Sequence, residues 1–430
     1  MQDITLTSDQ ARAKARVMQR IASGKKYTSL TGHAGTGKTT TTAQIMRDLQ
    51  EQKRQVYACA PTHKASWVMS EKMPAEAGTI HSLLGLALVP NNSDGGYTLV
   101  PKNGGRELPT EGVVLLDESS MVGSVLWKHV EEATQNASSA LQWVFVGDPA
   151  QLPPPAQQRA PALDAPGGYL EHVVRQESGN PILDLATRVR QGQKYLDSAR
   201  EAGHSEGKGV AVTSSIQSFT QSALATFRDV PDGQAPPARI ITYTNKRATG
   251  YNHRIRGLLH GSTDLPPYME GDWLMLKDTY MDNDTDAVLA RNSEEVKVLG
   301  ADTDMVWSAG EQWRVWQVKI ERPQLGGIVT EIPLLHRSHH RAYEKKLAQL
   351  LSRAKQTGGN RRWRDYYRLN ERFADAEYCF AMTAYRAQGS TFHTAYVDHQ
   401  NLRRCRNPEE RQAMIYVAAT RPSHQLALLV

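Results

Sequence analysis

The sequence predicts an α/β protein built on a mainly parallel sheet. Three observations predict it. Short apolar runs alternate with amphipathic helical stretches. One strand–helix junction carries a glycine-rich phosphate-binding pattern, and a later apolar run ends on two adjacent carboxylates. At 430 residues the chain is too long for one ordinary core, so about two to four domains are expected.

The elements follow in order. Residues 7–23 read as a helix that ends near Gly24. Strands are expected at 27–31, 55–60, 112–118 and 141–148, with helices between them. Within this unit, 86–105 has two apolar runs around Asn, Ser, Asp and Gly, which signals a hairpin projecting from the sheet. The Pro-rich stretch 153–168 reads as a long loop. A second strand set lies at 238–244, 377–383, 394–399 and 426–430. Between its members, roughly 264–335 is rich in short strands and turns and reads as a small inserted β-barrel. The segment 336–372 then returns as helix.

Composition is that of a soluble globular protein, 40% hydrophobic and 22% charged. No run of 18 apolar residues exists, so no membrane-spanning helix is expected. Asp3, Arg12, Lys14 and Arg16 in the first twenty residues predict no cleaved leader. Cys59, Cys379 and Cys405 lack metal-ligand spacing and fit a reducing compartment. The net charge of +6 is uneven. From His336 to Arg372 there are eleven Lys/Arg against three Asp/Glu, interleaved with Tyr343, Trp363, Tyr366, Tyr367 and Phe373. Such a segment suits nucleic acid. It suits equally a solvated helical pair whose aromatics face a core.

The stretch SLTGHAGTGKTTTT fills the pattern G-x-x-x-x-G-K-[ST] with Gly32, Gly37, Lys38 and Thr39. His33, Ala34, Gly35 and Thr36 complete the loop, and Thr40 follows it. Glycines let backbone N–H groups turn inward, and the helix start adds a positive dipole end. Lys38 is expected to reach the β and γ phosphates of ATP, and Thr39 to hold Mg²⁺. A glycine-rich surface turn is the alternative, but it does not require a strand before and a helix after. In VVLLDESSM, Asp117 at a strand's end is placed to support the metal, and Glu118 to polarise water. In VFVGDPAQLPP, Gln151 is placed to sense the γ-phosphate.

Together these segments resemble the superfamily 1 helicases of the RecD-like branch, over nearly the full length. GHAGTGKTT resembles motif I, APTHKAS motif Ia, TIHSLL motif Ib, DESSM motif II and GDPAQLPP motif III. EHVVRQ resembles the motif IV region, with Arg175; TAYRAQGSTF resembles motif V and IYVAATRP motif VI, with Arg421. LTSDQ resembles the adenine-reading Q motif, with Gln10, and ITYTNKRATGYN the entry to the second motor domain. Two positions depart from the family. Tyr385-Arg386 stands where it usually has His-Lys, and Pro422 follows motif VI.

The resemblance implies two RecA-like motor domains. The first is 1–175, with an 85–110 hairpin insertion; the second is 176–262 with 376–430. Residues 263–375 would form an SH3-like barrel with a basic helical extension. It further implies Arg175 and Arg421 as arginine fingers, although either residue also suits an ordinary salt bridge. Gln10 would contact adenine while completing a capping box with Thr7. Pro61, Thr62, His63, Lys64, His81, Thr383, Tyr385 and Arg386 would line a single-strand track, with Gln388 and Gly389 coupling it to ATP. His63 and His81 also suit buried, satisfied histidines. Tyr97 would either tip a strand-separating wedge or pack on the domain face. The expected activity is ATP-dependent 5′→3′ DNA unwinding at single-strand–duplex junctions, with a single-strand-binding protein as a further partner. The expected location is the cytoplasm, that of the host if the source is viral. A targeting subunit of a nuclease complex and an ATPase-silent DNA-binding protein are the competing classes.

Overall fold

The structure, a computed structural model, describes the chain except residues 1–4, 74, 91–96, 102–108, 137–138, 155–156, 173–179, 202–203, 206, 232–233, 283–286 and 358–359. It divides into two compact units. One holds Met1–Val212 with Ala384–Leu428, the other Thr213–Thr383 with Leu429–Val430.

The first unit opens with α1 (Ser8–Ala22), β1 (Tyr27–Gly32), α2 (Lys38–Glu51), β2 (Val56–Ala60), α3 (His63–Lys72), β3 (Ala77–Thr79) and α4 (Ile80–Leu83). Next come β4 (Leu86–Pro90), β5 (Tyr97–Pro101), β6 (Glu111–Leu116), α5 (Ser124–Gln135), β7 (Ala140–Gly147) and β8 (Gly167–Leu170). Then follow α6 (Pro181–Arg190), α7 (Leu196–Glu201), β9 (His204–Ser205) and β10 (Lys208–Thr213). Six strands form one sheet in the order β3-β2-β6-β7-β1-β8, and every pair is parallel.

Burial on both faces explains why its central strands read as unbroken apolar runs. Val113, Leu115, Val144 and Val146 face Val17, Ile45 and Leu49 on one side. Val114, Leu116, Trp143 and Phe145 face Leu126 and Val130 on the other. Each such side chain contributes about 1.5–3 kcal/mol of burial.

The stretch 153–168 is not loop throughout, because its last two residues begin β8, which pairs with β1. Those residues are Gly167 and Gly168, which carry no strand signal. They stand there because a Cβ at either would overlap the backbone of Ser29 or Ala13. β4 and β5 pair antiparallel from Leu86↔Pro101 to Pro90↔Tyr97, and Leu86 and Leu99 root the pair in the core. The Tyr97 side chain and residues 91–96 lie outside the described part.

The second unit contains α8 (Ile216–Arg228), β11 (Ala238–Thr242), α9 (Asn245–His260), β12 (Trp273–Leu276), β13 (Tyr280–Met281), β14 (Val288–Ala290) and β15 (Glu295–Ser308). It continues with β16 (Glu311–Arg322), β17 (Ile328–Leu335), α10 (His340–Thr357), α11 (Asn360–Asn370), β18 (Ala376–Tyr378) and β19 (Ala381–Thr383). A five-stranded antiparallel sheet runs β17-β16-β15-β12-β18 around a core of Leu274, Val296, Val298, Val318, Ile320 and Ile332.

The run 377–383, expected as one strand, is two. β18 pairs with β12 through Leu274↔Tyr378, and β19 pairs with β11 through Ile241↔Met382. Cys379 and Phe380, both buried, carry the chain from one sheet to the other, so its apolar character never breaks. On the basic helices, Tyr343 packs with Trp313 and Phe373, and Tyr366 is buried. Trp363 and Tyr367 stack while half-buried, and Arg362, Arg364 and Arg368 are exposed.

The chain returns to the first unit as α12 (Ala384–Ala387), β20 (Phe392–Asp398), α13 (His399–Leu402), α14 (Pro408–Ala419) and β21 (Pro422–Leu429), adding a second sheet ordered β20-β21-β10-β9. Among the described residues no helix is long and apolar enough to cross a membrane.

Candidate active site

The glycine-rich loop joins β1 to α2. Gly35 (φ 78°) and Gly37 (φ 83°) adopt the left-handed conformation that lets successive N–H groups face inward. The Lys38 ammonium folds onto the loop, 2.8 Å from the Gly32 carbonyl and 2.9 Å from that of His33. Thr36 Oγ1 donates to the His33 carbonyl at 2.9 Å. Gln10 completes the capping box of α1 and also spans to the loop, its Nε2 donating to the Thr36 carbonyl at 3.2 Å. Thr39 and Thr40 sit half-buried in the first turn of α2.

Asp117 and Glu118 leave the end of β6. The Asp117 amide donates to the Cys59 carbonyl (2.9 Å), and Asp117 Oδ1 accepts from the Glu118 amide (2.8 Å). Glu118 has φ 49°, a left-handed conformation that costs a non-glycine residue about 1–3 kcal/mol and recurs at functional sites. Both carboxyls are reachable from the surface but densely surrounded. Burial raises the pKa of each, and the Asp117 charge raises Glu118 further. The positive charges of Arg421 and Lys38 pull Glu118 the other way. Gln151 is buried, and its Oε1 has no hydrogen-bond partner among the described residues. An unpaired buried acceptor costs about 1–3 kcal/mol, so a donor is called for at this point.

Arg421, at the end of α14, is buried. Its guanidinium donates to the carbonyls of Val417 (3.1 Å) and Ser390 (3.1 Å) and to Thr420 Oγ1 (3.0 Å). Burial lowers its pKa, and the Glu118 charge opposes that. Gln388 Nε2 donates to the Leu152 carbonyl at 3.0 Å, one residue beyond Gln151. Gly389 has φ 70°, and a Cβ there would lie 3.4 Å from Ala65 Cβ, 3.8 Å from Glu118 Cγ and 3.9 Å from Thr62 Oγ1.

The remaining sequence-expected residues are placed as follows. Pro61 is half-buried, and Thr62 caps α3, whose first turn carries His63 and Lys64. Lys64 Nζ lies 4.9 Å from the centre of the Phe392 ring. His81, on α4, has its pKa lowered first by burial and then by nearby His63. The Tyr385 hydroxyl donates to Glu410 at 2.9 Å, and Arg386 is half-buried beside it on α12. Thr383 ends β19 in the second unit. Arg175 lies outside the described residues. The first unit therefore brings together Gln10, the loop, Asp117, Glu118, Gln151, Gln388, Gly389 and Arg421.

The sequence reading passed over a network behind the loop. Asp148, buried at the end of β7, accepts from the Ala150 amide (2.9 Å) and the Tyr416 hydroxyl (2.7 Å) and meets His33 Nδ1 at 3.2 Å. The Tyr416 oxygen accepts from the Ala34 amide at 2.9 Å. His33 Nε2 meets Tyr169 (2.9 Å) and Arg190 (3.1 Å). Asp148 closes an apolar strand as Asp117 does, so its signal was available. Arg190 and Tyr416 sit on ordinary helical stretches and gave none.

Thr39, in the first turn of α2, and Asp117, just past the end of β6, carry oxygen donors of the hard kind that Mg²⁺ takes. A loop of inward N–H groups, a lysine, paired carboxylates and a buried arginine can bind a nucleoside triphosphate and hydrolyse it.

Residues 5–208 match the AAA domain family, and residues 378–429 match the UvrD-like helicase C-terminal domain family. With the parallel core and these motifs, the chain joins a P-loop segment that matches the AAA family to one that matches a UvrD-like helicase C-terminal domain. Among individual relatives it is 25% identical over 444 residues to the ATP-dependent DNA helicase Dda of Enterobacteria phage T4, covering 97% of each chain. It is 32% identical over 183 residues to the ATP-dependent RecD2 DNA helicase of Deinococcus radiodurans, covering 42% of this chain and 24% of that one. Its fold is that of Pif1, in a structure of DNA unwinding at forked duplex by two coordinating Pif1 helicases. The TM-score there is 0.57 at 14% identity, over 99% of this chain and 92% of that one.

Proposed function

We propose that the protein is an ATP-dependent DNA helicase that moves 5′→3′ on single strands and opens duplex at junctions. One observation carries this reading: a Cβ at Gly389 would come within 3.4–3.9 Å of Ala65, Glu118 and Thr62, so the residue assigned to activate water and the start of α3 flank one glycine. In this reading Lys38 binds the β and γ phosphates, and Thr39 and Asp117 hold Mg²⁺, which would neutralise phosphate charge. Glu118 polarises the attacking water, and Gln151 orients it or senses the γ-phosphate. Arg421 and Arg175 stabilise the developing charge, an effect worth about 10³–10⁵ in rate for such arginines. Gln10 fixes the loop beside the base. Pro61, Thr62, His63, Lys64, His81, Thr383, Tyr385 and Arg386 line the DNA track.

The domain limits we assign are a first motor domain at 1–175, a second at 176–262 with 376–430, and an inserted SH3-like barrel with its basic helices at 263–375. The β4–β5 pair is the wedge, with Tyr97 as its stacking residue. Separating one base-pair step costs about 1.4 kcal/mol of stacking, within reach of one nucleotide-driven closure. In this reading the protein acts in the cytoplasm, that of the host if the source is viral.

Strand displacement by the purified protein alone tests the proposal, using one partial duplex with a 5′ overhang and one with a 3′ overhang. Displacement from the 5′ overhang, dependent on ATP and Mg²⁺, is expected. Displacement confined to the 3′ overhang would overturn the direction, and none from either would overturn the activity. Tyr97→Ala is expected to keep single-strand-stimulated ATPase and lose unwinding; equal loss of both would remove the wedge.

A further inference from the structure

We propose that Tyr416 is a positioning residue that occupies a phosphate-facing amide of the P-loop and is displaced from it when nucleotide binds. This rests on the reading of the loop as a nucleotide site. The Tyr416 hydroxyl has one proton and two lone pairs. The proton goes to Asp148 (2.7 Å), and one lone pair accepts from the Ala34 amide (2.9 Å). Burial, and then the Asp148 charge, push the phenol pKa up, so the hydroxyl stays protonated. Asp148 is itself fixed by His33 and by the Ala150 amide. Loop residues 33 and 34 are thereby tied to the end of β7 and to α14.

A buried tyrosine needs some partner for its hydroxyl, and most find one of no consequence. The choice of partner matters here. Ala34 lies in the middle of the loop, between Gly32 and Gly37, whose backbone N–H groups cradle phosphates in this motif. A phosphate oxygen is charged and makes the stronger hydrogen bond to such a donor. Phosphate and phenol therefore compete for one hydrogen, and the phenol gives way. Tyr416 lies on α14, five residues before Arg421, whose Nε is bonded to the Val417 carbonyl on that helix. Movement of the phenol is thus felt by the helix that positions Arg421.

Tyr416→Phe removes the competitor and keeps the ring. A fluorescent non-hydrolysable ATP analogue should bind the variant about two- to tenfold tighter, since one ordinary hydrogen bond is worth about 0.5–1.5 kcal/mol. Unchanged or weaker binding overturns the proposal. Because the variant leaves buried Asp148 short of a donor and could unfold, a second measurement uses the unaltered fold. With 3-fluorotyrosine placed at 416 alone, the ¹⁹F resonance should shift when the analogue is added. Ala34 should exchange its amide hydrogen more slowly in the analogue complex than in Tyr416→Phe without nucleotide. An unmoved resonance at saturating analogue overturns the displacement while leaving the nucleotide site intact. Absence of analogue binding to the unaltered protein overturns both readings.

Discussion

Gly389→Ala separates a coupling role from a merely structural one. Gly389 holds φ 70°, and forcing an L-residue into this region costs about 1–2 kcal/mol. The new methyl would stand 3.4 Å from Ala65 Cβ, so that neighbour must give by a few tenths of an ångström; its 3.8 Å contact with Glu118 Cγ is ordinary. Gly261 is the matched control: it caps α9 at φ 69° with nothing within 4 Å of a Cβ. Gly261→Ala pays the same conformational cost and presses on nothing. Both variants should lose about 1–2 kcal/mol in urea unfolding. Only Gly389→Ala should lose the ratio of DNA-stimulated to basal ATPase. If the strain is relieved by moving Gly389 off Glu118, about 1.4 kcal/mol of lost transition-state stabilisation is a tenfold fall in that ratio. Equal stability loss with full DNA stimulation in both variants would refute the coupling argument.

Lys38→Ala should abolish binding of an ATP analogue in a fluorescence titration, because the phosphate chain loses its charged partner. Glu118→Gln should keep that binding and lose turnover; near-normal ATPase on single-stranded DNA would place the water elsewhere. Burial holds the Asp117 and Glu118 pKa values above those of the unfolded chain, so the native state keeps protons the unfolded state has released. Their contribution to stability is therefore full at low pH and falls as pH rises through the raised values; Glu118→Gln should flatten this fall in melting curves recorded across pH. Replacing exposed Arg362 and Arg364 by alanine should shallow the salt dependence of single-strand binding if α11 touches DNA, since each lost phosphate contact reduces the slope by about 0.7. An unchanged slope would leave those arginines as solvent-facing charges.

The sequence made the catalytic strands legible because chemistry and burial coincide there. The run VVLLDE is apolar through β6 and charged at its end, and the structure leaves Asp117 and Glu118 where the sheet stops. β8 was invisible for the opposite reason, since its two glycines serve close approach and carry no propensity. The division of 377–383 was hidden because residues buried in either sheet are equally apolar. The basic helical segment was legible as charge, but not in its aromatics. Tyr343, Tyr366 and Phe373 turn inward to pack, a distinction that helical spacing on this short stretch did not resolve. Tyr416 and Arg190 were unreadable because their roles depend on contacts more than a hundred residues away.

The two-sheet segment 377–383 has a mechanical meaning. The Cys379 amide donates to Trp273 in the antiparallel sheet, and the Phe380 carbonyl accepts from Ile240 in the parallel pair. The Asn252 side-chain amide engages the Ala381 backbone twice, Nδ2 donating to its carbonyl and Oδ1 accepting from its amide, and buried Arg239 of β11 pairs with Glu295 of β15. Buried Arg256 of α9 grips Asp272 through two contacts, at 2.7 and 2.8 Å. The five-stranded sheet is thus welded to β11 and α9 and does not hang from them as a pendant on a string. Load applied to it is delivered to β11 with little slack, as through a bracket. Cutting the sheet out would strand Arg239 without its carboxylate and strip the cover from Cys379, so the bracket cannot be unbolted without damage to the wall behind it.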